Sequence, residues 1–181
     1  MSKNQKKDYE AVIIKNHPMD ESFKSKLKNN TKGVICHTCG RKAKEYRRRL
    51  NAQLCISLIE VLKYYRYSPD VETTDFFNVN ELFKQNPILK VDFPKLQYWD
   101  LVEAQGVVKG QKFIKKSAMY RISENGIKFA QREVGVPLVA IVYNNIVQGH
   151  DLSESATIDK ILLDAGYSYD EIIKQGVTFL S

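Results

Sequence analysis

Cys36-His37-Thr38-Cys39, followed directly by Gly40, places two cysteines with two residues between them. That spacing closes a tight turn that aims two sulfurs at one point, and glycine supplies the positive φ such a turn requires. Two thiolates so placed are half of a tetrahedral metal site. A structural zinc ion wants four ligands, and no matching second pair is evident. Cys55, His17, His37 and His150, or the same pair from a second subunit, are the remaining donors. Zinc held by Cys36 and Cys39 therefore stands as one alternative, and two reduced thiols in a turn as the other.

The run Gly33-Val34-Ile35-Cys36-His37-Thr38-Cys39-Gly40-Arg41-Lys42 resembles one half of a zinc ribbon, a zinc knuckle. A redox pair at the head of a helix is a third possibility, but the strand and helix alternation of thioredoxin-like folds is missing around it.

A second chemistry is electrostatic. Arg41, Lys42, Lys44, Arg47, Arg48 and Arg49 put six cations within nine residues. Residues 1–50 hold 14 Lys/Arg against 5 Asp/Glu, whereas residues 51–181 hold 14 against 16. Positive charge this concentrated suits a polyanion or an anionic surface better than a small neutral substrate. A solvated helix face is the plain alternative to a phosphate-tracking surface.

The elements that must carry these groups follow from periodicity. Residues 1–30 read as a polar, lysine-rich lead with one apolar run, Ala11–Ile14, suited to a short strand. From Arg41 a helix is expected, with Ala43, Tyr46 and Leu50 on one stripe and the cations around the rest. Beyond Asn51 apolar residues surround the axis, as in a buried helix. A short strand at 75–79 and a brief helix at 80–84 follow, stopped by Asn86-Pro87. A further helix starts at Asp92, its expected N-cap, with Phe93, Leu96 and Trp99 inward and Pro94, Lys95, Gln97 and Tyr98 outward. Next come a strand at 101–103, a loop rich in lysine (Lys109, Lys112, Lys115, Lys116) and a return strand at 118–122. Ser123 caps a closing helix with Phe129 and Ala130 inward. A hairpin around Asn144-Asn145 and two short helices, at 158–165 and from Ser168 to Gly176, complete the chain. The carboxylates Asp151, Glu154, Asp159, Asp164, Asp170 and Glu171 make this last piece acidic, a solvated face or a shield for the basic half.

The run Asp92–Glu103, the basic hairpin and Arg121-Ile122-Ser123-Glu124-Asn125-Gly126 resemble winged helix-turn-helix domains over about 85 residues. The resemblance implies that Lys95, Gln97 and Tyr98 face bases or phosphates and that Lys112, Lys115 and Lys116 contact the backbone. Two departures stand out: the recognition helix has one cation, and the hairpin loop is long. Winged helices also serve as protein-interaction modules. Trp99 is read as core, and Tyr64-Tyr65-Arg66-Tyr67 as an amphipathic helix end rather than a base-stacking platform. With the knuckle and tail included, the chain is similar to small proteins encoded by phages and other mobile elements.

The expected fold is thus α+β: a basic lead and knuckle over 1–40, a winged-helix domain with a basic N-terminal helix over 41–135, and a hairpin plus short helices over 136–181. No Gly-rich phosphate loop, nucleophile elbow or metal-hydrolase histidine spacing occurs, so no enzyme is expected. The leading expectation is a DNA-binding transcriptional regulator. The alternatives are an RNA binder, or a module that docks onto a host nucleic-acid enzyme or defence complex. No secretion signal or apolar membrane span is evident, so a cytoplasmic location, including a host's cytoplasm, is expected.

Overall fold

Gly33 has φ +86°, and a Cβ there would lie 2.5 Å from the Ala43 carbonyl oxygen, so both conformation and space demand glycine. This close approach brings β1 (Val34–Ile35) against β2 (Lys42–Ala43) in antiparallel register, Val34 facing Ala43 and Ile35 facing Lys42. The computed structural model describes residues 25–26, 30, 32–35, 40, 42–109, 112–143 and 145–175, with the backbone alone for 107–109 and 112–117. Residues 1–24 of the lysine-rich lead with its Ala11–Ile14 run, Cys36, His37 and Cys39 between β1 and β2, and Arg41 lie outside the described residues.

The chain divides into two units, residues 1–47 with 141–149, and residues 48–140 with 150–181. β3 (Tyr46–Arg49), β7 (Val136–Tyr143) and β8 (Ile146–Ala156) form one sheet in the order β3-β7-β8.

In the second unit Asn51 caps α1 (Ala52–Tyr67), its side chain accepting from the Leu54 N–H at 3.0 Å. Leu54, Cys55, Leu58, Ile59, Val61 and Leu62 are buried around most of the helix circumference, as their spacing requires. The chain continues through β4 (Phe77–Asn78), α2 (Val79–Leu82), α3 (Pro87–Val91) and a 3-10 helix (Phe93–Trp99). The hairpin β5 (Val102–Lys109) and β6 (Lys112–Ile122), α4 (Glu124–Ala130), α5 (Ile158–Asp164) and α6 (Tyr169–Lys174) complete the unit's elements. β4, β6 and β5 form an antiparallel sheet in that order. Phe93 is fully buried at its centre, its ring 5.9 Å from Phe77, 5.7 Å from Phe83 and 5.3 Å from Tyr120. The architecture is mixed α+β with small antiparallel sheets.

Three expectations are corrected. Residues 41–50 hold no helix among the described positions: Lys42–Ala43 and Tyr46–Arg49 are strands. Three apolar residues gave the expected helix too narrow a stripe to anchor six mutually repelling cations, whereas pairing beside β7 satisfies the backbone. β3 lies at the edge of its sheet, where exposed charge also deters further strand pairing. The expected helix at 92–100 is 3-10 rather than α. Phe93, Leu96 and Trp99 recur every third residue, which is the 3-10 repeat, so all three are buried in one line. The Asp92 carboxylate does not cap it but pairs with Lys95. Finally, the expected long loop after Glu103 is mostly strand. Val107 faces Ile114 and Val108 faces Phe113 in register, and β-branched and aromatic pairs of this kind favour a ladder over a loop.

Candidate nucleic-acid interface

Of the expected contact residues, Arg41 lies outside the described residues and Lys112, Lys115 and Lys116 are described by their backbone alone. In the first unit Lys42 is exposed on β2, and the exposed Lys44 ammonium lies 5.7 Å from the Tyr46 ring centroid. Arg47, also of this unit, is exposed on β3. Arg48 and Arg49 continue β3 as exposed residues of the second unit. Arg49 is engaged: its Nη1 and Nη2 donate to Glu154 Oε2 and Oε1 at 3.1 and 3.2 Å. The hydrogen bonds and charge of Glu154 hold the Arg49 guanidinium above its ordinary value. One acidic residue of the tail thus shields one residue of the arginine run.

The 3-10 helix offers less than its sequence suggests. Lys95 is half-buried and ion-paired to Asp92. Gln97 turns its amide back onto its own turn, Nε2 donating to the Pro94 carbonyl at 2.8 Å. Tyr98 is half-buried, and its carbonyl accepts from His150 Nε2 at 2.7 Å. Trp99 is 3% exposed and its indole N–H donates to the Pro137 carbonyl at 2.8 Å, the place of a core tryptophan. Segments of β7 and β8 therefore fasten the far end of this helix.

The hairpin is the better-built cationic element. Its base pairs Val102, Glu103 and Ala104 with Ile122, Arg121 and Tyr120. Arg121 is fixed there by donating from Nε and Nη2 to Glu103 Oε2 at 2.9 and 2.7 Å. Pairing then shifts: Ala104 faces Tyr120 but Gly106 faces Lys115, so Gln105 alone opposes residues 116–119. Ala118 in this bulge has φ +59°, a left-handed conformation that local pairing must hold in place. Beyond it the distal half carries Lys109 facing Lys112, with Lys115 following and Lys116 within the bulge. Four lysines thus fall in the distal half and its neck.

No ionisable cluster in the described residues resembles a metal centre: no three of His, Cys, Asp and Glu come together among them. Cys36 and Cys39 lie outside that set, whereas Cys55 is fully buried in α1, and loss of solvation pushes its thiol up to about 12. A thiol so placed resists the deprotonation that metal ligation needs. Asp100, Glu103 and Glu124 line a groove of about 510 Å³ without forming such a cluster, and Glu103 is paired with Arg121 and Glu124 with Lys128. Lys128 holds the Glu124 carboxyl below its ordinary value. No described helix is long and apolar enough to cross a membrane.

The pairing of Arg49 with Glu154 and the contact of His150 with Tyr98 join residues 105 and 52 positions apart. Neither had a local signal in the sequence. Comparison with protein-family models, curated proteins and solved structures gives no match for the chain.

Proposed function

We propose that the chain is a nucleic-acid-binding protein, a DNA-binding regulator of winged-helix type, whose β5–β6 hairpin is the wing. The carrying observation is the order α1, β4, α2, α3 with the 3-10 helix, then β5 and β6, with strand β6 between β4 and β5 and four lysines in or beside the distal hairpin. Helices whose intervening strand β4 joins a terminal basic hairpin in one sheet form the arrangement in which wings reach phosphates. Arg48, exposed on β3, adds a cation of the same unit. With Gln97 and Lys95 engaged locally, grip dominates over base reading, and affinity is expected to vary little with sequence.

The test is binding of fluorescent 20-base-pair duplexes by wild type and by the triple variant Lys112→Ala, Lys115→Ala, Lys116→Ala. The variant is expected to bind at least tenfold more weakly on every duplex, with unchanged melting temperature. Equal affinity, or no binding of DNA or RNA by wild type at low salt, overturns the proposal. For the knuckle, zinc held by Cys36 and Cys39 remains part of the proposal. Zinc content of the purified protein should fall in Cys36→Ser.

A further inference from the structure

We infer that the outer face of α3 is a docking surface for a protein segment that carries apolar side chains between carboxylates. Leu89 turns this short helix inward, while Ile88 and Val91, three residues apart and so on one face, are 65% and 73% exposed. Gln85 and Pro87 beside them are exposed as well. Such a pair has no hydrogen-bonding group with which to read a base edge, and contact with phosphate would not desolvate it. It gains from apolar contact, for which a protein segment offers more surface than the thymine methyls of a groove.

Charge selects the partner's type. Lys84 is exposed just before α3 and Lys90 is half-buried on it, and neither makes an ion pair among the described residues. The nearby Asp92 carboxylate is taken up by Lys95, while the exposed Glu81, which only accepts from the Asn78 amide at 3.5 Å, keeps its negative charge. Lys84 and Lys90 outweigh Glu81, so the surround of the apolar pair keeps a net positive charge, and the complementary ligand is an acidic amphipathic segment, docked through one or two aliphatic or aromatic anchors. These residues belong to α3 and not to the β5–β6 hairpin, so the inference is tested apart from the nucleic-acid proposal.

The experiment uses the full chain and two labelled 15-residue peptides with leucines at helical spacing, one filled with glutamate and one with lysine, beside a 20-base-pair duplex. The glutamate peptide is expected to bind at least tenfold more tightly than the lysine peptide. Ile88→Ser with Val91→Ser should weaken it at least tenfold while leaving duplex affinity within twofold. Lys84→Glu with Lys90→Glu, which keeps the apolar pair, should invert the preference between peptides and guards against misfolding of the first variant. Absent or charge-independent peptide binding, or an unaffected double-serine variant, overturns the inference. So does a tenfold loss of duplex affinity in the double-serine variant, which would assign the face to nucleic acid.

Discussion

Lys63 is almost wholly withdrawn from solvent, 1% exposed in the last third of α1, and its ammonium donates to Glu60 Oε1 at 2.6 Å one turn back. A buried ion pair returns little net stability, but removing one member strands the other's charge, at about 3 kcal/mol or more. Glu60→Gln should therefore lower the urea unfolding free energy by about that amount, and the joint change to Leu and Met should restore most of it. A loss below 1 kcal/mol in Glu60→Gln would show that Lys63 finds solvent. Nothing in the sequence marked this pair, because Lys63 and Glu60 read as ordinary polar positions on a helix whose circumference is otherwise apolar. Cys55 has a related consequence. Burial raises its thiol from an ordinary 9.0 to about 12, and burial also raises the phenols of Tyr65 and Tyr169. Above pH 9 the unfolded chain releases the Cys55 proton that the folded chain keeps, so stability present below that pH is lost progressively up to about pH 12. Urea midpoints should fall from pH 8 to 10.5, and less steeply in Cys55→Ala; parallel slopes would contradict that assignment.

Among the elements, the junction of α4 with β5 is the tightest. A Cβ on Gly126 would lie 2.0 Å from the Leu101 carbonyl oxygen, while the Gly126 N–H donates to the capping Ser123 hydroxyl at 2.9 Å. Gly126→Ala must push α4 off the strand, and an unfolding cost of about 3 kcal/mol is expected by thermal melting. At the hairpin neck the opposite sign applies: Ala118 at φ +59° would gain from glycine, so Ala118→Gly should be neutral or stabilise by up to about 1 kcal/mol. These elements differ in how legible they were. Local chemistry announced the Ser123 cap, the inward Phe129 and Ala130, and the line Phe93, Leu96, Trp99, because each follows from a few consecutive residues. The strand at 46–49 was hidden, since Tyr-Arg-Arg-Arg has no alternation and its pairing partner lies about 90 residues onward. The bulge at Gln105 was hidden for the same reason, being a property of two strands together.

At the scale of the whole chain the charge division between residues 1–50 and 51–181 was plain from composition, but what each cation meets was not. Folding spends Arg49 on Glu154 and Lys95 on Asp92, and ties Arg132 to Asp159 and Asp170 at 3.6 and 3.4 Å, so formal charge overstates what a polyanion can use. Arg132 also lies 4.4 Å from the Tyr169 ring centroid, and the Tyr169 hydroxyl donates to the Ala130 carbonyl at 2.7 Å. This fastening of α6 beside the end of α4 makes the acidic tail part of the second unit. Tyr169→Phe should cost about 1–2 kcal/mol and raise hydrogen exchange in α6. Unchanged exchange there would detach the tail from the core. The cations a polyanion can use are thus fewer than the sequence offered, because Arg49, Lys95 and Arg132 are engaged within the fold.

The salt dependence of duplex binding tests the nucleic-acid proposal most directly. Wild type should show log affinity falling with log salt at about −0.9 per phosphate neutralised, with a total of several phosphates. Removing Lys112, Lys115 and Lys116 should reduce the magnitude of that slope by two to three such increments. A wild-type slope near zero, or one that the triple alanine variant leaves unchanged, would contradict a phosphate-gripping hairpin.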